Sequence, residues 1–386
     1  MRKWGIYALA ILLCVAISTC RQKQPKEIRL SLMLNEEELL ELEKLIKRNE
    51  FLSAYKFKIE PNLSLSPEFL LLGKDQPDIF ELNFQDLPKL VPHSLGMKNL
   101  ISGDYEQSIF FLSYFQPGKF QGDYYYVPFK LSWLAFFYNH QRVFAEINNL
   151  TELSSLCYSN PGTMGLALAD DEQIVQFINS LIWAFDGDEF DLNQEGTKKA
   201  LYLLSSFREC LSPFSWHYDT AGLAEALGRG EIDFAFANFS VAKKLWEDNL
   251  YPYPIIGQKF PSDKPIAFTG NYLAINKSTT QPKTAYLFLF YLSNPSTCVQ
   301  AMEQGLWLCG MPTTAKLQPE LGKEELFAPF LATVAKLKPA SSELEFTKLA
   351  ELYRELVKRI VLAQEQVELV ASDLRLPLQK LKPARK

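Results

Sequence analysis

Polar and aromatic side chains occur together at the ends of four predicted strands. The segments and their candidate residues are DIFELNF with Glu81, Asn83 and Phe84, PFKLSW with Lys130 and Trp133, FAFANF with Asn238 and Phe239, and FTGNY with Thr269, Gly270, Asn271 and Tyr272. Ligands of open α/β sheets lie beyond the carboxyl ends of the strands, so we predict that these residues face one ligand. Amides and carboxylates hydrogen-bond pairs of hydroxyl groups, and aromatic faces cover the apolar side of a sugar ring. The pattern therefore favours binding of a small hydroxylated solute, which Gly270 would let the backbone approach.

A packing role is the alternative for each of these aromatic residues, and Trp133 suits either role. We assign to the core Phe80, Phe136, Phe137 and the segment LFLFYL. Glu81 and Lys130 are simply solvated charges in one interpretation, and in another Lys130 pairs with an anionic ligand such as a phosphate ester. The residues thus favour a sugar but leave the ligand class open.

Catalytic and metal-binding motifs are missing from the sequence. Its three histidines are scattered, and it has no H-E-x-x-H, G-x-S-x-G or G-x-x-x-x-G-K segment. The acidic stretch DGDEFDLNQEG resembles a calcium loop, but Phe190 and Asp191 replace an oxygen ligand and the required glycine. We therefore predict that the protein is not an enzyme and has neither a metal site nor a cofactor.

Length and charge define the broad class. The chain has 386 residues, is 47% hydrophobic and carries a formal net charge of −5. This length accommodates two domains with a sizeable core. Binding to nucleic acid needs clustered Lys and Arg, whereas the basic C-terminal KLKPARK is a short tail that we expect to be solvated. We therefore expect no nucleic-acid partner.

The N-terminus has the layout of an export signal. A basic start precedes an apolar stretch over 4–17, which is shorter than the ~20 residues of a membrane-spanning helix. The following AISTC resembles the lipobox of bacterial lipoproteins, in which the chain is cut before a cysteine that is then lipidated. This resemblance implies a signal peptide over 1–19, lipidation of Cys20 and a tether over 20–26, and a plain cleaved signal peptide is the alternative.

The later cysteines do not form a metal-binding pattern. They are Cys157, Cys210, Cys298 and Cys309, and none belongs to a C-x-x-C pair. Cys298 and Cys309 are close enough in sequence to form a disulfide after export, and buried free thiols are the alternative.

The order of the predicted elements indicates an α/β fold. Strands over 27–34, 55–60 and 77–83 alternate with a helix that Asn35 would cap and with a short helix over 66–73. This rhythm is typical of a doubly wound sheet.

A second α/β series follows. Its predicted elements are a strand over 162–169, helices over 170–185, 193–210 and 220–230, strands over 231–239 and 264–278, a helix pair broken at Asn294–Pro295, and one long helix over 341–374. Two α/β halves without a linker suggest two lobes around a cleft.

Six segments, in this order, resemble the family 1 extracellular solute-binding proteins of ABC importers, the maltose-binding-like group. They are DQPDIFELNFQDLPKLV, YYYVPFKLSWLAFFYNHQRVF, NNLTELSSL, FDGDEFDLNQEGTKKALYLLSSF, AEALGRGEIDFAFANFSVAKKL and AFTGNYLAINKSTTQPKTAYLFLFYLSNPSTCVQAM. The resemblance covers nearly all of the chain after the predicted tether. One departure is Phe239, which stands where the family usually has Trp.

The resemblance implies a two-lobed, periplasmic-binding-protein-like fold of type II with a hinge. It places an N-lobe at 27–135 plus 266–315 and a C-lobe at 136–265 plus 316–386, with crossings over 128–139 and near 260–268. The implied function is a monomeric, lipid-anchored receptor that closes around a sugar or oligosaccharide and delivers it to an importer permease. A surface lipoprotein on the same scaffold, working as an adhesin or sensor subunit, is the alternative.

Overall fold

The computed structural model describes residues 27–50, 52–61, 76–101, 113–143, 147–247, 255–308, 324–340 and 346–382. The predicted lipidation site Cys20, the helix predicted over 66–73, and Cys309 lie outside these residues.

Strands and helices alternate along much of the described chain. The strands are β1 (Ile28–Leu32), β2 (Phe57–Pro61), β3 (Ile79–Asn83), β4 (Lys119–Phe120), β5 (Asp123–Tyr124), β6 (Tyr126–Trp133), β7 (Ala135–Asn139), β8 (Met164–Gly165), β9 (Phe234–Ala237), β10 (Ile255–Gln258), β11 (Ile266–Ile275) and β12 (Leu337–Pro339). The helices are α1 (Glu36–Arg48), α2 (Leu87–Leu90), α3 (Glu152–Ser159), α4 (Asp171–Ala184), α5 (Glu195–Ser206), α6 (Thr220–Gly228), α7 (Phe239–Glu247), α8 (Pro282–Leu292), α9 (Pro295–Glu303), α10 (Glu324–Leu331), α11 (Phe346–Val357) and α12 (Val367–Lys380).

Two mixed sheets form the framework of the fold. The first has the strand order β12-β11-β3-β1-β2, with β6 also paired to β11, and the second has the order β10-β7-β9-β8. We call the first sheet with α1, α8 and α9 the N-lobe, and the second sheet with α4 to α7 the C-lobe. This arrangement confirms the predicted α/β fold.

Local sequence explains the start of α1. The Asn35 side chain accepts a hydrogen bond from the Glu38 amide at 2.9 Å, and the Glu38 carboxylate accepts one from the Asn35 amide at 3.2 Å. This reciprocal capping box satisfies two backbone donors that the first turn leaves unpaired. Leu42, Leu45 and Ile46 face the core at helical spacing. The predicted cap at Asn35 is confirmed.

Within the residues that the structure describes, the chain passes between strands of the two sheets at two places. It leaves the first sheet at the end of β6, continues through Leu134 into β7, and returns over 259–265 from β10 to β11. Gln176 of α4 spans both crossing strands, because its side-chain amide donates to the Ser132 carbonyl at 3.0 Å and to the Thr269 hydroxyl at 2.6 Å. The strands that carry candidate residues are therefore held at the junction of the lobes.

Two details differ from the sequence prediction. Strand β12 lies within 316–386, which we assigned to the C-lobe, but it pairs in parallel with β11 of the first sheet. The long helix predicted over 341–374 is divided instead: α11 continues into a π-helical segment over Lys358–Leu362, and α12 begins at Val367. Gln364 has a positive φ of 55° at this break. The Arg359 guanidinium spans it with bonds to the Glu365 and Asp373 carboxylates.

A disulfide joins Cys157 to Cys210, whose Cα atoms are 4.7 Å apart. The sequence did not predict this pair, because the two residues are separated by 53 positions. Cys298 is disulfide-bonded as well. Among the described helices, none has the length and apolarity needed to span a membrane.

Candidate ligand-binding site

A cavity of about 590 Å³ is lined by residues of both lobes. This volume is within the range of roughly 300–1,000 Å³ that small-molecule sites occupy. The N-lobe contributes the ends of β3 and β6, the middle of β11 and the first turn of α1, and the C-lobe contributes the first turns of α4, α6 and α7. Several strand and helix ends from two lobes therefore converge on one space.

A row of polar residues crosses three neighbouring strands on the N-lobe wall. Asn83 of β3 is paired with Asn271 of β11, and Asn271 is paired with Lys130 of β6. Residues directly opposite in an antiparallel pair have neighbouring side chains. Strand pairing thus brings together three candidates that are far apart in the sequence.

Glu81 lies beneath this row and binds two of its members, Asn271 and Lys130. Its carboxylate accepts hydrogen bonds from the Asn271 side chain at 2.6 Å and from the Met33 amide at 2.7 Å, and Lys130 Nζ lies 3.3 Å from Oε1. Lys130 Nζ also donates to the Met33 carbonyl. Burial raises the pKa of Glu81, and the Lys130 charge and these hydrogen bonds oppose that rise. The network fixes the N-lobe wall from below.

Acidic residues at the start of α4 form part of the C-lobe wall. The Asp170 side chain accepts hydrogen bonds from two amides of the first turn and from the Thr220 hydroxyl, which is 3.0 Å away. Glu172 accepts a hydrogen bond from the Thr269 hydroxyl at 2.9 Å. Burial raises the pKa of Glu172 to about 7, with a further contribution from the Asp170 carboxylate. This wall therefore contains a carboxyl group that titrates near neutral pH.

The remaining cavity residues differ in how far their polar groups are already bonded. The Asn238 side chain accepts a hydrogen bond from the Val241 amide at 3.2 Å and so caps the first turn of α7. Asn83 also lines the cavity, and its side chain makes no hydrogen bond within the described part of the chain. The Asn83 amide is thus open to a ligand.

Six of the residues predicted from strand ends line the cavity: Asn83, Lys130, Asn238, Phe239, Gly270 and Asn271. Glu81 is completely buried and supports two of them from below. Whether each residue contacts a ligand stays a prediction.

The prediction that Phe84, Trp133 and Tyr272 face the cleft is wrong. All three side chains are completely buried. The Trp133 indole nitrogen donates to the Thr333 hydroxyl at 3.0 Å, and the Tyr272 hydroxyl donates to the Tyr114 carbonyl at 3.0 Å. Residues an odd number of positions apart on a strand point to opposite faces, so Trp133 lies on the opposite face from Lys130, and Tyr272 on the opposite face from Asn271. Phe84 begins a short 3₁₀ helix after β3 and is buried there.

Gly270 also has a structural role that the sequence analysis did not predict. Its φ is 145°, a conformation that L side chains rarely adopt, and a Cβ there would collide with the Lys130 carbonyl. The glycine therefore allows the backbone of β11 to approach the backbone of β6 closely. The pairing of these two strands requires a glycine at this position.

Several cavity residues were missed by sequence reasoning. They are Met33, Glu38, Asp170, Glu172, Thr220, Lys243, Lys244 and Trp307. Asp170 begins the helix predicted over 170–185, but its sequence context did not mark it as a cavity residue. The segment FANFSVAKKL contained a usable signal, because a helix beginning directly after a strand end turns its first residues towards the same edge. Trp307 follows α9 and has no comparable local signal.

The fold agrees with that of known proteins of one class. The solved structure of maltose-bound T. maritima MalE3 matches with a TM-score of 0.70 at 16% identity, over 92% of this chain and 100% of that one. A cyclo/maltodextrin-binding protein complexed with maltotetraose matches with a TM-score of 0.76 at 12% identity, over 93% and 98% of the two chains. These matches confirm the two-lobed, maltose-binding-like fold.

A third solved structure has a different ligand. UgpB from Mycobacterium tuberculosis, in complex with glycerophosphocholine, matches with a TM-score of 0.67 at 17% identity, over 92% of this chain and 98% of that one.

None of the curated proteins matches the sequence. Residues 73–328, more than half of the chain, match the family described as bacterial extracellular solute-binding protein. The chain therefore belongs to the bacterial extracellular solute-binding proteins, a family of exported binding proteins.

Proposed function

We propose that this protein is the lipid-anchored receptor of an ABC importer that captures a sugar or oligosaccharide between its lobes and delivers it to the permease. The observation that carries the proposal is the single cavity of about 590 Å³ lined from both lobes. A ligand that contacts both lobes favours the closed arrangement, whereas a ligand bound to one lobe alone does not change the equilibrium.

The charges of the cavity support a neutral ligand. Lys130 is paired with Glu81 and Lys243 with Glu38, so two of the three lysines that line the cavity have a protein counter-ion. Lys244 has no ion pair among the described residues, and the two carboxyl groups of Asp170 and Glu172 lie on the same lobe. The C-lobe wall of the cavity therefore carries no net positive charge, and this disfavours a phosphate ester as the ligand.

Hydrogen-bonding capacity supports a hydroxylated ligand. The open Asn83 amide, the Glu172 carboxyl and the Lys244 ammonium provide both donors and acceptors around the cavity. Sugar hydroxyls use both kinds of partner. Two of the structural neighbours were solved with maltose and maltotetraose, which agrees with this ligand class.

The ligand class is tested by thermal unfolding in the presence of mono- and oligosaccharides, polyols and sugar phosphates. A ligand at a hundredfold excess over its Kd is expected to stabilise the protein by about 2.7 kcal/mol. If no saccharide raises the unfolding temperature but an amino acid, a polyamine or a metal ion does, the sugar proposal is wrong.

Asn83→Ala tests the cavity as the binding site. Removal of an amide that hydrogen-bonds the ligand is expected to weaken binding about tenfold, because about 1.4 kcal/mol is lost. Asn193→Ala is the matched control, since Asn193 is an exposed amide outside the cavity. Equal affinity of the two variants would place the ligand elsewhere.

The anchor is tested separately. Cys20→Ser is expected to release the protein from the membrane fraction, because the lipidated thiol is replaced. Continued partitioning with membranes would contradict lipidation at Cys20. An adhesin on the same scaffold is not favoured, because adhesion does not require a cavity shared by two lobes.

A further inference from the structure

The buried indole of Trp307 has an unpaired hydrogen-bond donor. Trp307 lines the cavity and is 2% exposed, and its Nε1 has no hydrogen-bond acceptor in the described part of the structure. Most buried polar groups in native proteins have a partner, so an unpaired donor beside a cavity requires an explanation.

The surroundings of Trp307 hold its ring in place. The ring packs against Phe129 with centroids 4.9 Å apart, and the Phe129 ring in turn lies 5.6 Å from Lys130 Nζ. The carbonyl of the next residue, Leu308, accepts a hydrogen bond from the Leu131 amide at 3.0 Å. Both the ring and the backbone are therefore tied to β6, the strand that crosses between the lobes.

We propose that Trp307 is a ligand-binding residue whose indole N–H donates a hydrogen bond to an oxygen atom of the bound saccharide. The inference rests on the proposed function and names a contact within the same cavity. An indole N–H is a donor only, so it selects an acceptor oxygen at this position. Nε1 itself is buried in this structure, so the hydrogen bond forms when ligand binding brings an oxygen atom to it.

Trp133 provides the contrast that makes this inference testable. Its indole nitrogen is also buried, but donates to the Thr333 hydroxyl at 3.0 Å. Replacement of either residue by Phe removes one N–H and keeps an aromatic ring. Only Trp133→Phe breaks a hydrogen bond within the protein.

The experiment compares Trp133→Phe and Trp307→Phe in the full chain, with maltose and maltotriose as the first probes and the best saccharide of the thermal panel as the third. Trp307→Phe is expected to weaken saccharide binding about tenfold, while Trp133→Phe changes affinity less than twofold. Trp133→Phe is expected to lower the stability more than Trp307→Phe does, because it leaves the Thr333 hydroxyl without its donor. Titrations give the affinities, and urea midpoints give the stabilities.

A spectroscopic measurement distinguishes direct contact from an indirect effect. In ¹H–¹⁵N spectra, the indole signal that disappears in Trp307→Phe is expected to shift when saccharide is added to the parent protein. Parent-like affinity of Trp307→Phe, or an indole signal that stays in place at saturation, would overturn the inference. If no saccharide binds the parent protein, the proposed function fails instead, and the two failures are distinguishable.

Discussion

The two walls of the cavity hold their carboxyl groups in different ways. On the N-lobe wall, Glu81 is completely buried and receives hydrogen bonds from Met33 and Asn271, with Lys130 as its counter-ion. On the C-lobe wall, Glu172 accepts a hydrogen bond from the Thr269 hydroxyl, and its closest charged neighbours are the carboxylates Asp170 and Asp171.

We call the N-lobe wall the completed wall, because its buried carboxylate has its hydrogen bonds and counter-ion within the protein. We call the C-lobe wall the adjustable wall, because it contains a carboxyl group with a pKa near neutral pH. The N-lobe wall neutralises its own charge, so its side chains are fixed before a ligand arrives. Glu172 has a pKa of about 7 and no cation among the groups that shift it. Its charge at neutral pH therefore depends on its immediate surroundings in the cavity.

The largest effect is expected from Lys130→Met on the completed wall. This change leaves the Glu81 carboxylate as a buried charge without its counter-ion, which costs about 3–5 kcal/mol of unfolding free energy. The loss is measured by urea denaturation at pH 8 and is expected to shrink at acidic pH, where Glu81 takes up a proton.

The double variant Glu81→Gln with Lys130→Met serves as the control, since it removes both charges. It is expected to recover more than half of the lost stability. A single Lys130→Met variant within 1 kcal/mol of the parent would show that the pair contributes little.

The adjustable wall is expected to produce a pH dependence. The folded pKa of Glu172, about 7, is above its ordinary value of 4.5, so the folded state binds more protons between these values. Stability is therefore greatest below pH 4.5 as far as this group is concerned, and it falls as the pH rises towards 7. One pKa unit corresponds to about 1.4 kcal/mol, so the effect of the raised pKa amounts to about 3 kcal/mol.

Glu172→Gln is expected to remove this part of the pH dependence. Unfolding free energies between pH 5 and pH 8 give the comparison, and the titration of Glu81, present in both proteins, cancels in the difference. Parallel curves for the parent and the variant would mean that Glu172 titrates at its ordinary pKa.

The comparison of the walls also shows what the sequence was able to predict. The order of most strands and helices within the described residues, the Asn35 cap and the helix break at Asn294–Pro295 follow from local patterns, and the structure confirms them. Two of the three wrong site residues, Trp133 and Tyr272, arise from one neglected local rule. On β6, Lys130 and Ser132 are partly exposed while Leu131 and Trp133 are buried, which is the two-residue period of a strand.

Other features required tertiary information. The row of Asn83, Asn271 and Lys130 depends on the strand order of the sheet, in which β11 lies between β3 and β6. The disulfide of Cys157 with Cys210 and the position of Trp307 likewise depend on how distant segments pack. No spacing within the sequence encodes these contacts.

The smallest effect concerns the ion pair that joins the two walls. Lys243 Nζ of α7 lies 3.7 Å from Glu38 Oε1 of α1, and the side chains are only 16% and 15% exposed. Partial burial strengthens the attraction relative to an exposed pair, so we expect a coupling of about 1 kcal/mol in a double-mutant cycle of Glu38→Gln and Lys243→Gln. Gln at position 38 still satisfies the capping box, which separates the ion pair from the helix cap.

The pair Glu43–Lys47 on the same helix is the matched reference for this cycle. Its atoms are closer, at 2.9 Å, but its side chains are 34% and 65% exposed and both belong to α1. Helical pairs of this kind contribute about 0.3–0.5 kcal/mol. A larger coupling for Glu38–Lys243 would mean that burial between the lobes outweighs the longer distance, and that the protein supplies part of the free energy of closure itself. An equal or smaller coupling would mean that closure depends on contacts made elsewhere in the cavity.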